Sequence, residues 1–145
     1  MNTYAELRER QQEEFNKFPL GFAFSSTQFE EMMKKWGLSP EDTDKICRIP
    51  AGGFIRKKDI QAFNEMNRRH RQEEKEAIEA DKTGDGYIFQ MFYYELKNHE
   101  YGYTGDAEET LEELGYTYED LQADRRMLHG FEKAKEKIMS EEDCF

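Results

Sequence analysis

The chain has 145 residues, 37% of them charged, and a formal net charge of −11. That length suits one domain, 1–145, able to hide roughly 70% of its unfolded surface, and 11 Phe, eight Tyr, one Trp and seven Met argue against disorder despite a mean hydropathy of −1.05. Valine is absent, which disfavours an extensive sheet, and the negative field repels nucleic acid and anionic membrane while attracting basic surfaces or cations.

The charge is sorted along the chain. Residues 1–72 carry 13 Lys/Arg and 11 Asp/Glu, residues 73–124 carry 3 and 16, and residues 125–145 carry five of each. The region 73–124 therefore holds the whole acidic excess. Cys47 and Cys144 are too few and too isolated to imply a disulfide framework. No apolar run approaches the roughly 20 residues that span a bilayer, and no secretory signal opens the chain, so a cytoplasmic protein is expected.

The elements are expected in this order. Thr3 and Glu6 form a capping-box pattern before a helix over about 4–16, which Pro19 and Gly21 end. Phe22-Ala23-Phe24 alternates as a short strand. Ser25-Ser26-Thr27 starts a helix whose Phe29, Met32, Met33 and Trp36 make an apolar stripe, with Gly37 as its stop. Ser39-Pro40-Glu41-Asp42 opens a short third helix by its cap, Pro and acidic first turn. Phe54-Ile55 pairs with Phe22–Phe24 in a two-stranded hairpin. A long helix follows over 58–80, with an exposed polar middle.

Residues 87–96 are apolar on every side, the pattern of a helix at the centre of a bundle, with a buried strand as the competing reading. Gly102 to Asp106 reads as a loop. Ala107, Thr110, Leu111 and Leu114 define another helix closed by Gly115, Thr117 with Asp120 starts the next turn, and a last helix runs over 125–140. The fold class is mainly α: a single-domain bundle of about six helices with at most a small two-stranded hairpin. Residues 29–42 align weakly with 107–120 as helix, glycine stop, cap and acidic turn, with Lys34-Lys35 replaced by Glu112-Glu113. Like charges spaced i, i+4 weaken a helix by a few tenths of a kcal/mol, so their retention favours a use for the charge.

Three candidate sites emerge. Glu73, Glu74, Glu76 and Glu79 on one helix, and Glu108, Glu109, Glu112 and Glu113 on another, are the expected partner-binding residues. Asp81, Thr83 and Asp85 occupy positions 1, 3 and 5 of a loop that begins like a calcium-binding EF-hand, with Gly86 at 6. Position 12 is Phe92 where a bidentate Glu is needed, so a tight turn with Asp85 capping the next helix is the simpler reading. Glu95 and His99 are spaced i, i+4, with Glu95 inside the apolar helix either reaching solvent or buried and hydrogen-bonded. Two ligands are short of a tetrahedral zinc site, and His70, His99 and His129 read as surface or helix-end residues. The basic stretch Arg68, Arg69, Arg71 reads as a solvated helix with intrahelical pairs such as Arg69–Glu73 rather than a nucleic-acid patch. No catalytic constellation or cofactor motif stands out, so neither enzyme activity nor a cofactor is expected.

Four blocks together resemble a known family: Phe22-Ala23-Phe24-Ser25 with Gln28-Phe29; Ile49-Pro50-Ala51-Gly52-Gly53-Phe54-Ile55; Ala80 to Gly86 through His99-Glu100-Tyr101; and Leu114-Gly115-Tyr116-Thr117 with Glu119-Asp120. The family is one of short, acidic, uncharacterised bacterial proteins typical of mobile elements and prophages. The likeness covers nearly the whole chain, supplies no catalytic residues, and implies a cytosolic accessory role. The stretch of Phe24, Phe29-Glu30-Glu31 and Gly37-Leu38 is also similar to antirestriction proteins that imitate DNA. That likeness implies an inhibitor of a host defence nuclease, of antirestriction or anti-CRISPR type, whose carboxylates occupy the nuclease's nucleic-acid cleft as phosphates would. The alternatives are a degenerate calcium module and a structural or assembly protein with a solubilising surface.

Overall fold

The computed structural model describes residues 2–50 and 52–142. Helices dominate: α1 (Thr3–Lys17), α2 (Ser26–Lys35), α3 (Ile60–Ala80), α4 (Tyr87–Asn98), α5 (Tyr101–Thr104), α6 (Glu108–Leu114), α7 (Tyr118–Gln122) and α8 (Arg125–Glu142). Three short strands, β1 (Leu20–Gly21), β2 (Ile46–Arg48) and β3 (Phe54–Arg56), form the only sheet among the described residues. The chain divides into two compact units. One is continuous, Gln12–Arg71; the other is split, Met1–Gln11 with Gln72–Phe145.

In the continuous unit the sheet is antiparallel with order β1-β3-β2, pairing Leu20 with Ile55 and Cys47 with Ile55 from either side. The expected hairpin thus gains a strand, and its first strand lies at Leu20–Gly21 rather than Phe22–Phe24. The reason is the start of α2. Ser25 accepts from the Gln28 amide at 3.2 Å, while the Gln28 side chain accepts from the Phe24 amide at 2.8 Å. This reciprocal cap uses the Phe24 N–H, so 22–24 enters a helix and cannot join a ladder. The expected third helix is also replaced. Asp42 Oδ2 accepts from the Ser39 amide at 2.9 Å and folds that segment into a turn. A 3-10 turn at Thr43–Lys45 then delivers buried Ile46 into β2, against Met32 and Met33 of α2. In α3, Arg69 pairs with Glu14, and His70 Nε2 stands 3.2 Å from the same carboxylate. These two contacts hold the Glu14 carboxyl down at about 2. His70, with its side chain only 12% exposed, therefore departs from the exposed middle expected for this helix.

The split unit is built on α4 packed along α8. Ile88, Met91, Phe92, Glu95 and Leu96 are the buried face of α4, spaced i, i+3, i+4, i+7, i+8, which settles helix against strand. Met127, Phe131, Ala134 and Ile138 answer from α8, with the Phe92 and Phe131 rings edge-to-face at 5.3 Å. Leu111, Leu121 and Tyr4 complete the core. Fully burying one such side chain is worth about 1.5–3 kcal/mol, so this cluster is the main source of the unit's stability.

Two glycines set how closely α8 approaches the start of α4. Gly84 adopts φ +88° with its Cα against the Arg126 carbonyl. A Cβ on Gly130 would stand 2.8 Å from the Gly84 carbonyl oxygen and 2.7 Å from Ile88 Cγ2. Local signals elsewhere resolve as follows. The cap of α1 is Asn2, whose Oδ1 accepts from the Ala5 amide at 3.0 Å, and not Thr3. The expected loop over 102–106 contains the single helical turn α5. Gly37 and Gly115 both stop helices at positive φ, as the weak repeat anticipates. Beyond them the copies diverge, because Thr117 and Asp120 form a complete capping box for α7 whereas the first copy turns into the sheet.

Candidate functional site

The loop Asp81–Gly86 is organised by Asp81. Its Oδ1 accepts from the Thr83 and Gly84 amides at 3.3 and 2.9 Å, and its Oδ2 from Gly86 and Ile88, both at 3.0 Å. Burial works to raise this carboxyl, but the four amides, Ile88 first, outweigh it and hold it below the usual range. Asp81, not Asp85, is thus the residue that caps the entry to α4. Asp85 instead meets His129 Nε2 at 2.7 Å and Lys133 Nζ at 2.9 Å, and Thr83 Oγ1 accepts from the Asp85 amide. The three side chains of the EF-hand-like pattern therefore each have a protein partner.

All eight glutamates singled out by the sequence belong to the split unit. Glu108, Glu109, Glu112 and Glu113 are exposed on α6, and Glu74, Glu76 and Glu79 are exposed on α3. Glu73 is different: it is half-buried and bound to Arg10 at 2.7 Å. The split unit holds 23 Asp/Glu and 10 Lys/Arg, a net of −13, while the continuous unit holds 9 and 11, a net of +2. Charge segregates by structural unit. Around Tyr116, burial first and then the negative charges of Glu74, Asp120 and Asp124 push the phenol up, so acids that precede and follow α4 in the sequence act on one ring.

A second constellation sits where α4 ends. Glu95, 1% exposed, is the buried hydrogen-bonded acid of the two readings left open by the sequence. Arg8 Nη1 donates to its Oε1 at 3.3 Å and to the Tyr4 hydroxyl at 3.3 Å. Burial, reinforced by the Glu95 charge, pushes the Tyr4 phenol up to about 12. One turn on, His99 caps α4. Its Nδ1 donates to the Glu95 carbonyl at 2.8 Å, and its Nε2 lies 2.5 Å from Glu113 Oε2. The carbonyl contact foremost, and Glu113 with it, hold His99 above the usual imidazole value. Among the described residues Glu95, His99 and Glu113 form a group whose ligand atoms all lie within 4.8 Å of one another. The sequence showed Glu95 and His99 as an i, i+4 pair. It showed Glu113 only as one acid in a run, because the fold of α6 onto the end of α4 has no local signature.

A family model matches residues 3–137. The chain belongs to a family of unknown function, DUF7659. No curated protein and no solved structure matches it. Membership in this family covers almost the whole chain, both structural units included. Among its described residues no helix is long and apolar enough to cross a membrane.

Proposed function

We propose that this member of the family is a non-enzymatic binding module whose acidic unit docks on a basic macromolecular surface. The observation that carries the reading is the segregation of charge: a net of −13 in one unit beside +2 in the other. Solubility alone does not require that sorting, because charge spread over the whole surface serves it equally well. The exposed row Glu108, Glu109, Glu112 and Glu113 supports it further, since its like-charge i, i+4 pairs cost helix stability and, among the described residues, only Glu113 has an ion pair in return, with His99. The partner best suited to such a row is the nucleic-acid cleft of a nuclease, where carboxylates replace phosphates and release the cleft's bound anions.

The test is inhibition of DNA cleavage by restriction and CRISPR nucleases, measured across a salt series with the parent chain and with Glu108, Glu109, Glu112 and Glu113 all changed to Gln. Inhibition by the parent should weaken steeply with salt, and the fourfold variant should lose at least a factor of ten. Inhibition indifferent to both changes refutes the reading.

A further inference from the structure

We propose that Glu95, His99 and Glu113 form a binding site for a divalent transition-metal ion, one that shares Glu113 with the acidic docking row and takes its other two ligands from α4. The chemistry of His99 is the starting point. A backbone carbonyl only accepts, so the 2.8 Å contact from Nδ1 to the Glu95 carbonyl fixes the proton on Nδ1. The Nε2 lone pair then faces Glu113 Oε2 at 2.5 Å, and a carboxylate also only accepts. Two acceptors at that distance need a cation between them, either a second proton or a metal ion. A histidine whose far nitrogen is tied to a carbonyl is the usual arrangement for metal ligation, because the outer hydrogen bond orients the ring.

The remaining geometry fits an ion. Glu95 brings a carboxylate that is 1% exposed, from the residue one turn before His99 on α4, and Glu113 closes the site from α6. Nitrogen and carboxylate ligands stand about 2.1 Å from zinc, hence about 3.4 Å from one another in a tetrahedron. The present separations, up to 4.8 Å, bracket that value, and Glu113, with a side chain 52% exposed, has the freedom to adjust. One carboxylate oxygen of Glu95 belongs to the group, and Arg8 Nη1 donates to Oε1 at 3.3 Å. The imidazole nitrogen among the ligands favours zinc, copper, iron or nickel over the hard ions magnesium and calcium. Three protein ligands leave a fourth position open to water.

The test is calorimetric titration of zinc chloride into the chelator-stripped full chain, with cobalt(II) absorption as a readout of coordination geometry. One equivalent should bind, and His99→Gln and Glu113→Gln should each weaken it at least tenfold and abolish the cobalt spectrum. Glu108→Gln should change neither. His99→Gln leaves every acidic residue in place, so nuclease inhibition should survive it, which separates this site from the docking surface. Absence of zinc binding by the parent chain, or binding unchanged in His99→Gln, overturns the proposal. Glu113→Gln alters an exposed side chain, and its circular dichroism should match the parent, so loss of binding there reports the ligand and not the fold.

Discussion

Gly130→Ala sets two physical effects of opposite sign against each other. Glycine inside a helix costs about 1 kcal/mol relative to alanine, so on propensity alone the change stabilises α8. The packing says otherwise. The new Cβ would meet Ile88 Cγ2 at 2.7 Å, the Gly84 carbonyl oxygen at 2.8 Å and the Phe89 amide nitrogen at 3.1 Å. Two of the three are backbone atoms, and they are partners of one another, since the Phe89 amide donates to the Gly84 oxygen at 3.1 Å in the first turn of α4. Gly84 cannot easily retreat, because its φ of +88° and its own contact with the Arg126 carbonyl hold it in place. Overpacking of this kind costs about 1–3 kcal/mol, and more where backbone must shift. With backbone in the way the upper part of that range, about 2–3 kcal/mol, applies, and the propensity gain reduces it to a net loss of about 1–2 kcal/mol. For a chain of 145 residues that lowers Tm by about 3–7 °C. Thermal melts followed by far-ultraviolet circular dichroism, with urea titration as a second measure, read it directly. A Tm equal to or above the parent's refutes the close approach of α8 to the 84–89 loop.

The remaining expectations concern caps and charge. Thr117→Ala removes the hydroxyl that accepts from the Asp120 amide at 3.2 Å, and should cost about 1 kcal/mol, with Thr117→Ser restoring most of it in urea denaturation. Asp81 has a carboxyl lowered in the folded chain, so its contribution to stability is fully present above the unfolded value of about 3.9. It is lost as pH falls through the lower folded value. The stability gap between the parent and Asp81→Asn, followed by urea midpoints from pH 7 to pH 2, should therefore be widest above about pH 4 and close in stronger acid. A gap that is constant with pH contradicts the role given to the four amides.

Much of the helical content was legible because it rests on local signals. The stripe Phe29, Met32, Met33, Trp36 is α2, the helix stop at Gly115 and the Thr117–Asp120 box lie where the pattern puts them, and the apolar run after Gly86 is the buried α4. Errors arose where two local grammars competed for the same backbone groups. Ser39-Pro40-Glu41-Asp42 carries a helix-start composition, yet the Asp42 side chain folds back on Ser39 and Ile46 gains more by burial in β2. Phe22–Phe24 alternates like a strand, yet the Phe24 amide is claimed by Gln28.

Charge and composition are properties of the chain alone, so the acidic excess of 73–124, the scarcity of sheet and the amphipathic stripes could be read without coordinates. Which acid does what could not. Asp81 and Asp85 are four residues apart in one short loop, but one turns inward to four amides and the other outward to His129 and Lys133. Glu113 is one of four similar glutamates on α6, and it alone of the four is in ion-pair contact with His99. The contacts of Asp85 and Glu113 join residues 14 to 48 positions apart, whereas those of Asp81 reach two to seven positions along its own loop. Periodicity constrains neighbours along a helix but leaves the pairing of distant elements open, and packing around α4 and α8 is what settles it.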